Sequence, residues 1–352
     1  MMTKLRATAA LPSLALIAAV ALSGCDSGGG AGARTQVRAV GSSTVYPFST
    51  AVAEQFVNAN PKFKSPIIES TGTGAGFKLF CAGVGAAHPD VANASRRMKK
   101  AEYEMCAKNG VDKVIELQIG LDGIAFAESS EGLKIPLTTV DIYKALAATP
   151  YGEPQTAKTW KDINPALPAE AIKVYGPPST SGTRDALVEL IMMRGCDSDP
   201  AMAALKASND AEHKKVCGTV REDGAFVDAG ENDNLIVQKI EADPKAVGIF
   251  GFSFFEENKD KLIANTVNGT APTYFSISDF SYPGARPLYI YVKAAHLNAV
   301  PGLKEYVAQF ASSWGPGGFL AKRGMVVAPG SVRDAAAVVA KDMTPLDPSV
   351  LK

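Results

Sequence analysis

Three stretches of this chain share one design, and each fixes a strand, a tight turn and a helix in that order. They are Gly41-Ser42-Ser43-Thr44, Ser70-Thr71-Gly72-Thr73-Gly74-Ala75-Gly76 and Ser179-Thr180-Ser181-Gly182-Thr183-Arg184. Short apolar runs at 37–40, 66–69 and 172–175 precede them, and helical patterns follow. Strands that alternate with helices predict an α/β fold with parallel strands, and such sheets gather ligands at the carboxyl ends of their strands. Glycine lets backbone approach a ligand closely, Ser and Thr supply hydroxyls, and a helix N-terminus presents unpaired N–H groups and partial positive charge. One such turn is an ordinary capped helix. Three in one chain read as a cage for an oxyanion.

The remaining periodicity fits the same plan. Residues 47–58, 77–82, 139–147, 185–193, 235–241 and 303–313 carry helical spacing. Residues 90–92, 115–127, 246–255 and 288–292 read as strands, the longest being a candidate to cross between domains. The Asp90-Val91-Ala92 strand leads into Asn93-Ala94-Ser95-Arg96-Arg97, again at a strand end. Trp160-Lys161-Asp162-Ile163 reads as a turn with a buried aromatic, and Asn232 and Asn234 as caps for the helix near Leu235.

Composition bounds the function. The chain has 352 residues, room for roughly two domains. Lys plus Arg and Asp plus Glu each number 36, so the formal charge is zero and there is no basic footprint for nucleic acid. An anion site must be local, built from dipoles, hydroxyls and a few arginines. Arg96-Arg97 with Lys99-Lys100 is a charge run of the kind that usually faces solvent, with Arg96 expected to turn inward.

The N-terminus reads as a targeting segment. Lys4 and Arg6 precede an apolar run, 7–21, that is short for a membrane span. It ends in Leu22-Ser23-Gly24-Cys25, which resembles a bacterial lipoprotein signal with Cys25 as the lipidated residue. Asp26 beside it resembles an inner-membrane retention signal, and 26–35 would be a flexible tether. Export leaves Cys81, Cys106, Cys196 and Cys217 in an oxidising compartment. Four cysteines allow three pairings. The local one, Cys81–Cys106 and Cys196–Cys217, is expected, because both pairs close short loops of similar length. No Cys/His cluster has zinc spacing, so no metal and no cofactor are expected.

The motifs, taken in order, resemble the phosphate-binding proteins of bacterial phosphate ABC importers. Besides the three turns they include Asn93-Ala94-Ser95-Arg96, Asp141-Ile142-Tyr143, Trp160-Lys161-Asp162-Ile163-Asn164 and Ala246-Val247-Gly248-Ile249. The resemblance implies a two-lobed periplasmic-binding fold of type II, each lobe a mixed, mainly parallel sheet flanked by helices. Lobe 1 would comprise 36–118 and 288–352, and lobe 2 would comprise 119–287. It implies phosphate contacts at Thr44 and Val45, at Thr73, and at Ser181, Gly182 and Thr183, with Ser43, Gly74 and Ser95 beside them. It also implies a lipid-anchored, monomeric periplasmic receptor that hands phosphate to the permease subunits.

Two departures stand out. Members of the family place an aspartate after the Ala-Ser pair, where it accepts the proton of phosphate; this chain has Arg96 there. They also carry an arginine four residues before the third-turn serine, where this chain has Pro177. A rewired cage is expected, with Arg96, Arg184 or both supplying the fork to the phosphate oxygens. Unless Glu69 or Asp185 replaces the aspartate, selectivity over sulfate should be weaker.

Enzymatic readings fare poorly. The three histidines, His88, His213 and His296, lie in no motif, and there is no Walker loop, G-x-S-x-G or H-E-x-x-H. The runner-up is a receptor for another oxyanion or a small phosphorylated solute. A secreted phosphate-ester hydrolase comes third, since it would need a nucleophile with an activating base, or metals.

Overall fold

The computed structural model describes residues 34–230 and 232–351. The expected signal segment, Cys25 and the expected tether up to residue 33 lie outside the described residues. Among the described residues nine strands form one mixed sheet: β1 (Arg38–Gly41), β2 (Ile67–Ser70), β3 (Val91–Ala94), β4 (Val114–Ser129), β5 (Val174–Gly176), β6 (Phe226–Asp228), β7 (Val247–Gly251), β8 (Leu262–Ala264) and β9 (Ala285–Lys293). Their order is β2-β1-β3-β9-β4-β7-β5-β6, with β8 also on β4. The outer pairs β1/β2, β1/β3, β5/β6 and β5/β7 are parallel. Around β4 and β9 the pairing is antiparallel.

The long strand β4 organises the molecule. Val114–Gly123 pairs with β9, and from Ile124 the strand pairs with β7 instead. Side chains alternate along each strand, so each half of the sheet has a core on both faces. In β9, Leu288, Ile290 and Val292 join Val52, Phe56, Tyr306 and Phe310. Tyr289 and Tyr291 point the other way, towards Phe77, Phe80 and Met98. In the second half, Phe126 and Ile249 pack with Tyr143, Trp160 and Leu187, while Phe250 packs with Ile236 and Ile240 on the opposite face. The disulfides Cys81–Cys106 and Cys196–Cys217 form the expected local pairing, one in each half.

Local chemistry accounts for the shifts from the sequence expectations. The 246–255 run is not one strand: β7 stops at Gly251, which caps the short helix Phe252–Glu257. The helix expected at 185–193 begins at Gly182, where Ser181 caps it, and runs to Cys196 through a π-wound stretch, Leu187–Met192. Trp160–Ile163 is a helical turn boxed by Thr159 and Asp162. Asn232 caps the helix Asp233–Ala242, its side chain accepting from the Asn234 N–H. No helix among the described residues is long and apolar enough to cross a membrane.

Candidate functional site

The first two turns form one unit. Gly41 ends β1 with φ at +132°, and a Cβ there would lie 2.2 Å from the Asn93 carbonyl oxygen. Only glycine fits both the conformation and the space. Its carbonyl accepts the N–H groups of Thr71 (2.8 Å) and Gly72 (2.9 Å), which ties the second turn to the first. The end of β3 closes the unit: Asn93 accepts the Ser42 N–H at its carbonyl (2.9 Å) and the Ser49 hydroxyl at its side chain (3.0 Å).

The third turn comes from the other half of the sheet and meets the first. Ser181 Oγ accepts the Thr183 N–H at 3.2 Å. Gly182 sits so close to the first turn that a Cβ on it would lie 2.3 Å from the Thr44 nitrogen. The Thr44 hydroxyl donates to the Gly182 carbonyl (3.1 Å), and the Ser43 hydroxyl donates to Asp185 (2.7 Å). A cavity of about 910 Å³ opens along this seam. All three turns line it, through Ser43, Thr44, Ser70, Thr71, Gly72 and residues 179–183, together with the carboxylates of Asp122, Asp185 and Asp233.

Behind the seam stands a cation that sequence reasoning missed. Arg286 lies in β9 opposite Asp122 of β4, and its side chain is only 2% exposed. Its Nε donates to Asp122 Oδ2 (3.2 Å). Its Nη2 donates both to the Thr44 hydroxyl of the first turn and to the Gly182 carbonyl of the third (2.8 Å). Nη1 is buried without a hydrogen-bond partner, 3.6 Å from a Glu189 carboxylate oxygen. Burial pushes the Asp122 carboxyl above its ordinary value, against the pull of Arg286. Burial pushes Glu189 up in the same way, opposed by Arg286 and reinforced by Asp185. The seam thus couples hydroxyls, helix-terminal N–H groups and one buried guanidinium with carboxylates at its wall. The donors suit an oxyanion, and an ionised carboxylate beside them accepts a hydrogen bond from one that carries a proton.

The other sequence-derived residues fall into two groups. Ser43, Thr44, Ser181, Gly182 and Thr183 line the cavity, and Val45 is buried directly behind them. Thr73 and Ser95 instead bond each other (2.9 Å) beneath the second turn, and Gly74 is exposed on its far side. Arg96 and Arg184 are not brought to the cavity. Arg96 forks onto Glu102 through both Nη atoms (2.9 and 2.7 Å) and lies over Phe77. Glu102 is fixed for this role because its carboxylate also accepts the Lys99 N–H at the start of the helix Lys100–Lys108. Arg184 stacks on Phe226 at 4.2 Å. Of the two candidate carboxylates, Glu69 pairs with Arg38 (2.8 Å), whereas Asp185 faces the cavity.

Residues 27–313 match the PBP superfamily domain. This chain belongs to that superfamily. The PBP chain is 31% identical over 303 residues to the phosphate-binding protein PstS of Staphylococcus saprophyticus, covering 83% of this chain and 82% of that one. It is 37% identical over 267 residues to the protein SphX of Synechococcus elongatus, covering 74% and 68%. Among solved structures, a possible phosphate-binding protein from Planctomyces limnophilus superposes with a TM-score of 0.69 at 27% identity, over 88% of this chain and 98% of that one. An ABC-type phosphate transport receptor from Vibrio cholerae shares the fold, with a TM-score of 0.56 at 20% identity over 79% and 94%.

Proposed function

We propose that this PBP-superfamily chain is an extracytoplasmic receptor that binds inorganic phosphate in the seam and delivers it to an ABC permease. One observation carries the reading: turns from opposite halves of the sheet, each with hydroxyls and a helix N-terminus, meet over the partly unpaired Arg286. The relatives' names point to the same ligand. Thr44, Ser181 and Thr183 supply hydroxyls, the 182–183 backbone supplies N–H groups, and Arg286 takes the place expected of Arg96 or Arg184. Thr44 and Gly182 touch, so an anion enters by parting them. The two halves therefore act as lobes, 36–118 with 288–352 against 119–287, hinged on β4 and β9. Closure replaces the water shell of the anion with fixed dipoles and involves no covalent chemistry. On this reading the working chain is an extracytoplasmic monomer held at the inner membrane by a lipid on Cys25, and the Leu22-Ser23-Gly24-Cys25 signal supports the anchor.

The same geometry bears on selectivity. Phosphate keeps a proton at neutral pH and sulfate does not. A carboxylate in a dry site accepts that proton's hydrogen bond and repels an oxyanion with nothing to donate. Asp122, at the cavity wall, fills the role left open by Arg96. The test is dialysis of labelled phosphate against ligand-stripped protein with competing oxyanions. Arsenate should displace phosphate and a large excess of sulfate should not, while Asp122→Asn should narrow the gap by about tenfold, or 1.4 kcal/mol. Equal displacement by sulfate in the unmodified protein would contradict the assignment.

A further inference from the structure

The helix Asp210–Gly218 carries His213 and Cys217 four residues apart, hence on one face, and both are buried. That face meets Cys196 at the end of the helix Met193–Cys196, also buried. The ligand atoms of Cys196, His213 and Cys217 all lie within 4.8 Å of one another. The imidazole is oriented from behind: Nε2 stands 2.6 Å from Asp197 Oδ1, while Asp197 Oδ2 is paired with Lys206 at 2.5 Å. An ionised carboxylate only accepts hydrogen bonds, so Nε2 carries a proton, and in the neutral ring Nδ1 presents a lone pair. Nδ1 is buried and has no hydrogen-bond partner. A buried ring nitrogen without a partner calls for an explanation. A carboxylate behind a histidine that has a free ring nitrogen and lies within 4.8 Å of two sulfurs is the outer-shell arrangement of a metal-binding imidazole.

We propose that the dithiol form of this chain holds a borderline-soft divalent cation, Zn²⁺, through Cys196, Cys217 and His213, at a site closed by the Cys196–Cys217 disulfide. In this structure the two sulfurs are bonded to each other, so disulfide and metal exclude one another. The dithiol form exists before the disulfide closes, and again after reduction by an external thiol. Two thiols reduce the bridge, leaving two cysteine thiols and one external disulfide. Zn²⁺ then binds both sulfurs and Nδ1 and releases two protons. The donor set is two thiolates and one imidazole with a fourth position open, a set known to hold zinc. The fold places this site in the second core, apart from the phosphate seam, so it does not depend on the phosphate reading.

The test uses the oxidised chain and the anaerobically reduced chain, with Co²⁺ as probe and Zn²⁺ as competitor. The reduced chain should take up one Co²⁺ with a thiolate-to-cobalt absorption band that Zn²⁺ abolishes, and the oxidised chain should take up none. Asp197→Asn should weaken binding by about 10–100-fold, and His213→Ala should weaken it further. Replacing Cys81 and Cys106 by Ser should leave the band intact. If reduction loosens the fold, Zn²⁺ should restore the far-ultraviolet circular dichroism, because site formation and folding are linked. Three results would overturn the proposal: a reduced chain that gives no band and no zinc-dependent refolding, a band that survives His213→Ala unchanged, or a band that requires Cys81 and Cys106.

Discussion

Two acids of one sheet region, one buried and one half-buried, face opposite fates. Asp90, just before β3, is fully buried and saturated: it accepts from the Arg38 N–H (2.8 Å), Arg34 (3.1 Å) and His296 Nδ1 (2.6 Å). The His296 ring is locked, since its Nε2 accepts the Gly85 N–H (2.9 Å). Asp122 in β4 is held from one side by Arg286 Nε and the Gly123 N–H, and its other side faces the cavity. Saturation on all sides makes a staple, whereas a carboxylate with spare acceptor capacity at a cavity wall makes a binding group. The same contrast separates Arg96, forked onto Glu102, from Arg286, which keeps a buried Nη1 without a partner. A guanidinium that has spent both Nη atoms on one carboxylate has little left for a ligand.

The largest effect expected from this contrast is on folding. Asp90→Ala strips the shared acceptor from Arg34 and His296, and breaking a buried pair costs about 3–5 kcal/mol. Urea denaturation should show that loss, with the phosphate affinity of the folded fraction changed less than twofold. A loss below about 1 kcal/mol would place Asp90 with ordinary surface acids. Arg286→Met should do the reverse, weakening phosphate binding by about 100-fold, or 2.8 kcal/mol, with a smaller shift in the urea midpoint. Retained affinity would return the role of cation to Arg184 or Arg96.

A third effect tests how dry the Asp90 region is. Lys293 is fully buried, with Nζ donating to the Gly83 carbonyl, and burial lowers its pKa from 10.5 to about 8. Between those values the unfolded chain binds a proton that the folded chain does not, so stability rises with pH across the window. The full effect is at most about 3.4 kcal/mol. Chemical denaturation at pH 8 and near 10.5 should show the parent chain gaining stability relative to Lys293→Met, the buried tyrosines being common to both; equal slopes would mean that Lys293 stays charged. The smallest effect is for Arg96→Ala, whose phosphate affinity should change by less than about twofold, within the ±0.5 kcal/mol range of substitutions away from special features. A tenfold loss by calorimetry would restore Arg96 to the site.

Much of this was legible in the sequence. The three turns sit where the strand-turn-helix pattern placed them, because glycine spacing and capping hydroxyls act over a few residues. The long apolar run became β4, and the short cysteine loops gave the right pairing. What escaped was non-local. Arg286 reaches a threonine 242 positions away, and no motif surrounds it. The available signal was a pair of opposite charges, Asp122 and Arg286, each set in or beside an otherwise apolar run that becomes a strand. Arg96 follows the Ala-Ser pair, while the partner it meets in the structure, Glu102, is fixed by the next helix start. Several helices left little trace for a simpler reason: Pro200–Ser208 buries no residue, and Gly330–Asp342 buries only Ala336 and Ala340.

The central claim is that two opposed turns and Arg286 form one phosphate site. Its most direct test is calorimetric titration of ligand-stripped protein with phosphate, beside Arg286→Met and a Gly182→Val variant that wedges the seam against Thr44. The expected result is one saturable site in the parent chain and loss of at least about 100-fold in affinity, or 2.8 kcal/mol, in both variants. A silent titration of the parent chain, or full affinity in both variants, would contradict it.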